Sequence, residues 1–535
     1  MDRILLFAVI CCCSFSTARA TVFHLDPATG SMQNDGSLAS PWSTLADVFA
    51  ANLIETRSYL PLPYVEGVSQ LSPKNVGAPV QPGDTLMLYD GLHGVGFFRG
   101  GFNAEPITIM AAPGHVPILS RFQLQAGARW RLIGLHISPE PYGTYHATHL
   151  IHFETHNWHG PVREVEVRDC NVYTSANTSA WSAEDWVSRA SSGIRYFGKQ
   201  GLIQNNTFTN VDFGVMVTGD STQAIGNSII NFCGDGMRAI GNDLLFEGNL
   251  IKNCYAVDAN HDDGIQSFAT PEAPLYRVVL RGNTIINYDD PDQPLLGALQ
   301  GIGCFDGPFI DWVVENNLVI VNHWHGISLY GAINCTVANN TVIDPTPGVT
   351  PGPSWIRIND DTSIGVPSTG CVVANNIANT YAVTGTTLLN NLTVPGAEYD
   401  LHFVDAAGYD LHLISTSMAI DAADDLYAPL VDHDGVPRPI GVQSDIGAYE
   451  YLGPMGVKPL SDPLVSIRPN PSVDILNIGL PEGTPLVTVE VLDRLGRTII
   501  HEQNLVGDRV DVRGLVPGAY LIRCNGSFVA RFVKQ

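Results

Sequence analysis

The chain has 535 residues, a formal net charge of −25, and 15% charged against 45% hydrophobic residues. That length allows two or three domains with a large core, and 52 Gly with 35 Pro point to many turns rather than to disorder. The acidic balance excludes a nucleic-acid footprint, which needs clustered cations; with only five lysines, cationic work falls to the arginines.

Residues 1 to 20 read as a cleaved export signal: Arg3, an apolar run from Ile4 to Cys13, then Ala18-Arg19-Ala20 as a small-x-small cleavage site. No later stretch reaches the roughly twenty apolar residues of a membrane span. Cys11 to Cys13 leave with the signal and seven cysteines remain. Cys335 and Cys371 fall at equivalent places in neighbouring repeats, near enough to bridge, with buried free thiols as the expected state. The mature start predicts a strand at Val22, a polar loop, and a short amphipathic helix from about Trp42 that plugs one end of a solenoid. Strand pairs separated by Gly and Pro turns follow, V-Q-P-G-D-T-L-M-L-Y-D-G and P-I-T-I-M-A-A-P-G-H-V-P-I-L.

Through the middle, an apolar run, an Asn and a second apolar run return about every 21 to 36 residues, at Asn206, Asn227, Asn249, Asn283, Asn317 and Asn340. Asn171 and Asn376 extend the series at its ends. Each unit is too short to bury its own apolar face, so the units stack into a parallel β-helix. An Asn at one corner donates to the Asn of the next rung and tolerates the bend. His146, His149, His152, His156 and His159 alternate three- and four-residue spacings; the neighbouring L-I-H-F-E reads as a strand, which favours cleft lining over zinc. Trp181 and Trp186, in W-S-A-E-D-W, either grip sugars or pack an ordinary loop.

A second phrase, Gly then an apolar residue, aligns the rungs independently at Gly193, Gly214, Gly236, Gly264, Gly301 and Gly326, with Trp355 as a seventh member. Alternation sends Ile194, Val215, Met237, Ile265, Ile302, Ile327 and Ile356 inward. Their successors, Arg195, Met216, Arg238, Gln266, Gly303, Ser328 and Arg357, form an outward column at roughly 4.8 Å spacing. Asp235, Asp263 and His325 precede the glycines, with His261 and Asp262 beside them. Two positions beyond the column stand Phe197, Phe268, Phe305 and Tyr330, a platform for sugar rings.

The opening phrases resemble the pectin-lyase-like right-handed β-helix superfamily, particularly chondroitinase-B and alginate-lyase relatives, over about residues 21 to 450. The closing rungs, Y-D-L-H-L-I-S-T-S-M-A-I-D, D-H-D-G-V-P-R-P and S-D-I-G-A-Y-E-Y, are similar to those of exported bacterial β-helix proteins. From Val465 the pattern becomes short alternating strands, read as a small antiparallel β-sandwich. Pro469-Asn470-Pro471, Gly518-Ala519-Tyr520-Leu521 and the basic end at Lys534 resemble the C-terminal sorting domain of the Bacteroidota type IX secretion system. That resemblance implies the secretion machinery as a partner, and release from the cell or attachment to the outer-membrane surface.

The expected architecture is therefore all-β: a signal at 1–20, a right-handed parallel β-helix at 21–453, a linker at 454–463 and a sorting sandwich at 464–535, the whole acting as a monomer. The expected function is cleavage of an acidic, uronate-containing polysaccharide, with lyase chemistry favoured. Asp263, His325, His261 and Arg238 are the candidate catalytic residues. Arg195, Gln266, Arg357, Phe268, Phe305 and Tyr330 are the candidate substrate contacts, and Asp235 with Asp262 the candidate Ca²⁺ ligands. Two carboxylates could instead serve a hydrolase. The order Asp262-Asp263-Gly, His325-Gly and Arg357-Ile is similar to the polygalacturonase series, but Trp324 stands for its first Gly and Asn359 for its Lys. A C5 epimerase and a non-catalytic surface carbohydrate binder also fit these residues, since fold does not fix function.

Overall fold

The computed structural model describes residues 20–145, 148–290 and 292–453, and in the tail 466–468, 472–480, 488–492, 498–503, 509–516, 518–524 and 528–534. The export signal up to residue 19, the linker and Pro469 to Pro471 lie outside the described residues. The chain divides into two compact units, Met1–Cys233 and Gly234–Gln535.

In the first unit, one sheet face is built from the long strands Gly91–Ala111 and Pro117–Ile133, followed by β1 (His149–Glu154), β2 (Ser192–Phe197) and β3 (Val215–Thr218). All pair in parallel, with Ile151, Ile194 and Val215 in one register and fully buried. The helix begins at Leu45 rather than Trp42, because the Thr44 hydroxyl caps the amide of Asp47. Its buried Phe49 meets Phe98, Phe122 and Trp130 edge-on, while Trp42 stacks on Phe23.

The second unit repeats the plan with β4 (Met237–Ile240), β5 (Asp263–Phe268), β6 (Gln300–Asp306), β7 (His325–Tyr330), β8 (Trp355–Asn359) and β9 (Thr380–Val383). Met237, Ile265, Ile302, Ile327 and Ile356 fall in one register, all at 0% exposure. The glycines before them are close-approach positions. A Cβ on Gly301 would lie 2.2 Å from the carbonyl oxygen of Gly326 and 2.4 Å from Val319, so the Gly-apolar phrase records how tightly the rungs stack.

The asparagine corner is a hydrogen-bond ladder. Asn249 donates its amide side chain and backbone N–H to the Asn283 side-chain oxygen, and the pattern continues through Asn317, Asn340 and Asn376 to Asn391. Each rung thus satisfies a corner amide that burial would otherwise strand. The residue before each ladder Asn is left-handed, with φ between +45° and +64° at Asn205, Gly226, Gly248, Gly282, Asn316, Asn339, Asn375 and Asn390. Gly and Asn are the residues that adopt this conformation at least cost, which explains the Gly-Asn and Asn-Asn doublets. Asn171 departs from the expectation. Cys170, preceded by left-handed Asp169, donates its N–H to Asn206 and takes the ladder position, while Asn171 pairs with Thr207 within a strand.

Residues 419–450 close the second unit through Asn339 and Asn375, which donate to the carbonyls of Asp445 and Asp424. Here Arg438 is buried against Glu450 at 2.7 Å. The tail forms two antiparallel sheets, Ser466–Arg468 with Ile475–Gly479 and Arg509–Asp511, and Thr488–Leu492 with Thr498–Gln503, Gly518–Cys524 and Phe528–Lys534. Leu476, Ile478, Val489, Ile522 and Phe532 share one core, as expected of a sandwich. The seven described cysteines are buried thiols, Cys335 and Cys371 among them. Among the described residues, no helix is long and apolar enough to cross a membrane.

Candidate active site

The turns entering β4 and β5 place three carboxylates where water does not reach. Asp235 accepts from Arg238 Nε at 2.5 Å and from the backbone N–H of Asp263 at 3.0 Å. Asp263 accepts from Gln266 Nε2 at 3.0 Å, and its Oδ2 lies 3.2 Å from His261 Nδ1. Its Oδ1 has no partner among the described residues and sits over the bare Cα of Gly303, where a Cβ would come within 2.0 Å of it. Asp262 turns elsewhere, to Asn260 Nδ2 at 2.9 Å and the Cys254 thiol at 3.5 Å. Burial pushes Asp262 and Asp263 up to about 7 and raises Asp235 against the pull of Arg238. Asp235 and Asp262, the expected Ca²⁺ ligands, therefore face different partners; among the described residues no three His, Cys, Asp or Glu groups converge to hold a metal.

His261 joins this buried cluster to solvent. Its side chain is 60% exposed while Asp263 is at 0%, and the contact with Asp263 raises its pKa. Asp263 thus orients the ring and occupies Nδ1, which leaves the lone pair on Nε2 in the neutral imidazole.

His325, at the head of β7, is tuned the opposite way. Burial, with His323, Arg357 and His261 nearby, lowers it to about 4. The Trp355 indole N–H, which can only donate, reaches Ser328 Oγ at 3.1 Å, and Ser328 Oγ lies 2.9 Å from His325 Nδ1. Ser328 is fully buried, so the Trp355–Ser328–His325 chain fixes the orientation of the imidazole through Nδ1. The surroundings thus tune the two imidazoles in opposite directions, His261 up through a carboxylate and His325 down through burial. Phe305 stands between them, its ring centroid 6.4 Å from His261 and 4.7 Å from His325. The Arg357 guanidinium lies over Trp355 at 4.9 Å and Tyr330 at 5.6 Å, and its Nε is without a partner among the described residues.

The second unit thus brings Asp235, Arg238, His261, Asp263 and Gln266 into one hydrogen-bonded group, and His325, Phe305, Tyr330 and Arg357 into one aromatic cluster. Phe268 does not align as expected. A bulge after Ser267 pairs it with Asp306 instead of Phe305, so it leaves the platform. Arg195 belongs to the first unit, where it pairs with His152 and Met216. Sequence reasoning missed the roles of His323, Ser328 and Trp355; the His-Trp-His run at 323–325 was the available signal.

Residues 159–387 match the model of a right handed beta helix region, and residues 466–533 match that of a secretion system C-terminal sorting domain. The chain carries a right-handed β-helix and a sorting domain. Solved structures with a similar fold include pectate lyase Pel9A, at 15% identity over 81% of this chain and 96% of that one, TM-score 0.40. A rhamnogalacturonan lyase matches at 13% over 75% and 96%, TM-score 0.42. The A-module of mannuronan C-5 epimerase AlgE6 from Azotobacter vinelandii matches at 12% over 58% and 91%, TM-score 0.37. No curated protein matches the sequence.

Proposed function

We propose that the β-helix cleaves an acidic polysaccharide by β-elimination, after export to the cell surface or beyond. The observation that carries this is the His261–Asp263 pair, an exposed imidazole backed by a fully buried carboxylate. Arg357 binds the uronate carboxylate through its guanidinium, which acidifies the C5 proton. His261 Nε2 takes that proton, and His325 Nε2–H steadies the charge that gathers on the carboxylate. The C4–C5 double bond forms as the C4–O bond breaks, and the His261 imidazolium returns the proton to the departing oxygen. Sugar rings rest on Phe305, Tyr330 and Trp355.

Hydrolysis needs two carboxylates that reach the glycosidic bond, whereas Asp235, Asp262 and Asp263 are all buried. Ca²⁺ is given no step, because Asp235 and Asp262 are committed to Arg238, Asn260 and Cys254.

The test exposes the purified chain to uronate-containing and neutral polysaccharides, following unsaturated-uronate absorbance and reducing ends together. Both signals rising on an acidic glycan, and vanishing in His261→Asn, is the expected result. Reducing ends alone would replace elimination by hydrolysis, exchange of the C5 hydrogen without cleavage would mean epimerisation, and silence on every glycan would leave a binding protein.

A further inference from the structure

The first unit carries a second polar face that the proposed reaction does not use. Phe122 and Ile151 point inward in register, as do Leu124 and Phe153. Their neighbours Arg121, Gln123 and Gln125, with His152 and Glu154 on β1 and Arg195 on β2, therefore stand on the outer side. Arg99 joins them, 2.8 Å from the Gln125 side-chain oxygen. Three guanidinium groups thus share this face with one carboxylate, in a chain of net charge −25. That carboxylate is held by amides: Glu154 accepts from Gln125 at 2.8 Å and Gln123 at 3.3 Å. The imidazoles are neutral near pH 7, since burial and the nearby arginines hold His149 and His152 at about 4.

Two side-chain nitrogens here are stranded. Arg121 Nε and His149 Nδ1 are buried with no partner among the described residues, an arrangement that costs free energy unless a ligand completes it. Arg121 also lines a cavity of about 160 Å³ with Ser120, Thr148, Leu150 and Ser191, and a half-open aromatic corner follows in the chain. There Tyr145 meets Trp181 edge-on at 5.9 Å, with the Arg189 guanidinium 5.9 Å from each ring.

We propose that Arg121, Arg195 and His149 form a second carbohydrate subsite that takes an anionic group of a glycan, a uronate carboxylate or a sulfate ester. This rests on the acidic-glycan reading above, and it assigns the first unit to holding the chain rather than to cutting it.

Affinity electrophoresis of the full chain in gels containing polygalacturonate, dextran sulfate or neutral dextran tests it. The background is His261→Asn with Arg357→Gln, which removes turnover and the second unit's clamp. Adding Arg121→Gln and Arg195→Gln should weaken binding to at least one polyanion about tenfold or more, as the loss of charge-assisted bonds implies. Dextran mobility and the thermal melting point should stay unchanged. Loss on polygalacturonate alone identifies a carboxylate ligand, and loss on dextran sulfate alone a sulfate. Unchanged retardation on both polyanions, or equal loss on dextran, overturns the subsite. If the arginine substitutions abolish retardation while His261→Asn alone leaves turnover intact, the subsite stands and the elimination mechanism falls; the reverse pattern removes only the subsite.

Discussion

Each unit builds a polar face on its strands, and the two faces are opposite in electrostatic sense. In the first, Arg99, Arg121 and Arg195 outnumber Glu154, and His149 and His152 are kept neutral. In the second, Asp235, Asp262 and Asp263 are buried, and Asp263 is joined to the exposed His261 ring. The inward apolar column keeps one register in each. A rung therefore supplies a position and a direction, while the turn ahead of each strand decides whether the position becomes a cationic socket or a buried acid.

The largest effect should come from His261→Asn, which removes the proposed base. Turnover is expected to fall about 10²- to 10⁴-fold, while polyanion retention by the first unit persists in gels. Arg357→Gln should cost about 10- to 100-fold in kcat/KM on acidic glycans, read in steady-state kinetics, because one charge-assisted contact of about 1.5–3 kcal/mol is lost.

Gly303→Ala tests whether the second unit is built around the Asp263 carboxylate. The new methyl would lie 2.0 Å from Oδ1, so a destabilisation of about 1–3 kcal/mol is expected in denaturant unfolding. The same substitution at exposed Gly143, where a Cβ meets nothing within 4 Å but φ is +66°, should cost only about 1 kcal/mol of backbone strain.

Asp263→Asn separates two effects of one charge. Asp263 titrates near 7 in the fold against 3.8 as a free group, so the folded state binds more protons between about pH 4 and pH 7. Its contribution to stability therefore falls as pH rises through that window. The Asn variant should melt a few degrees higher than the parent at pH 8 and no higher at pH 4. The Asp263 contact also raises His261, so the parent's rate should rise with pH through a midpoint above 6.5. In the variant that limb should shift to lower pH with a reduced plateau. A melting point that is indifferent to pH in both proteins would show that Asp263 is solvated in solution.

Much of this molecule was legible in the chain. The Gly-Asn and Asn-Asn doublets announce a left-handed residue followed by a ladder residue, and both demands are local: a φ that Gly or Asn accepts, and an amide that reaches one rung. The Gly-apolar phrase located the inward column for the same reason, since strand alternation and a bare Cα at a close approach are properties of a few consecutive residues. Those local demands disclose the β-helix and the sorting domain, and they place the residues from Asp235 to Arg357 on successive rungs.

The tertiary structure alone decided how those residues divide their work. Whether Asp262 turns to Cys254 or to Asp263 depends on side chains that only folding brings together, and Asn171 yielded its ladder position to Cys170 by one residue of register. Phe268 left the aromatic platform because of a single bulge. His325 is held through Ser328 by Trp355, which lies on the next strand and 27 positions beyond Ser328 in the chain. Burial, which sets the pKa of Asp263 and isolates Arg121, is a property of everything packed around a group, and no local pattern of residues encodes it.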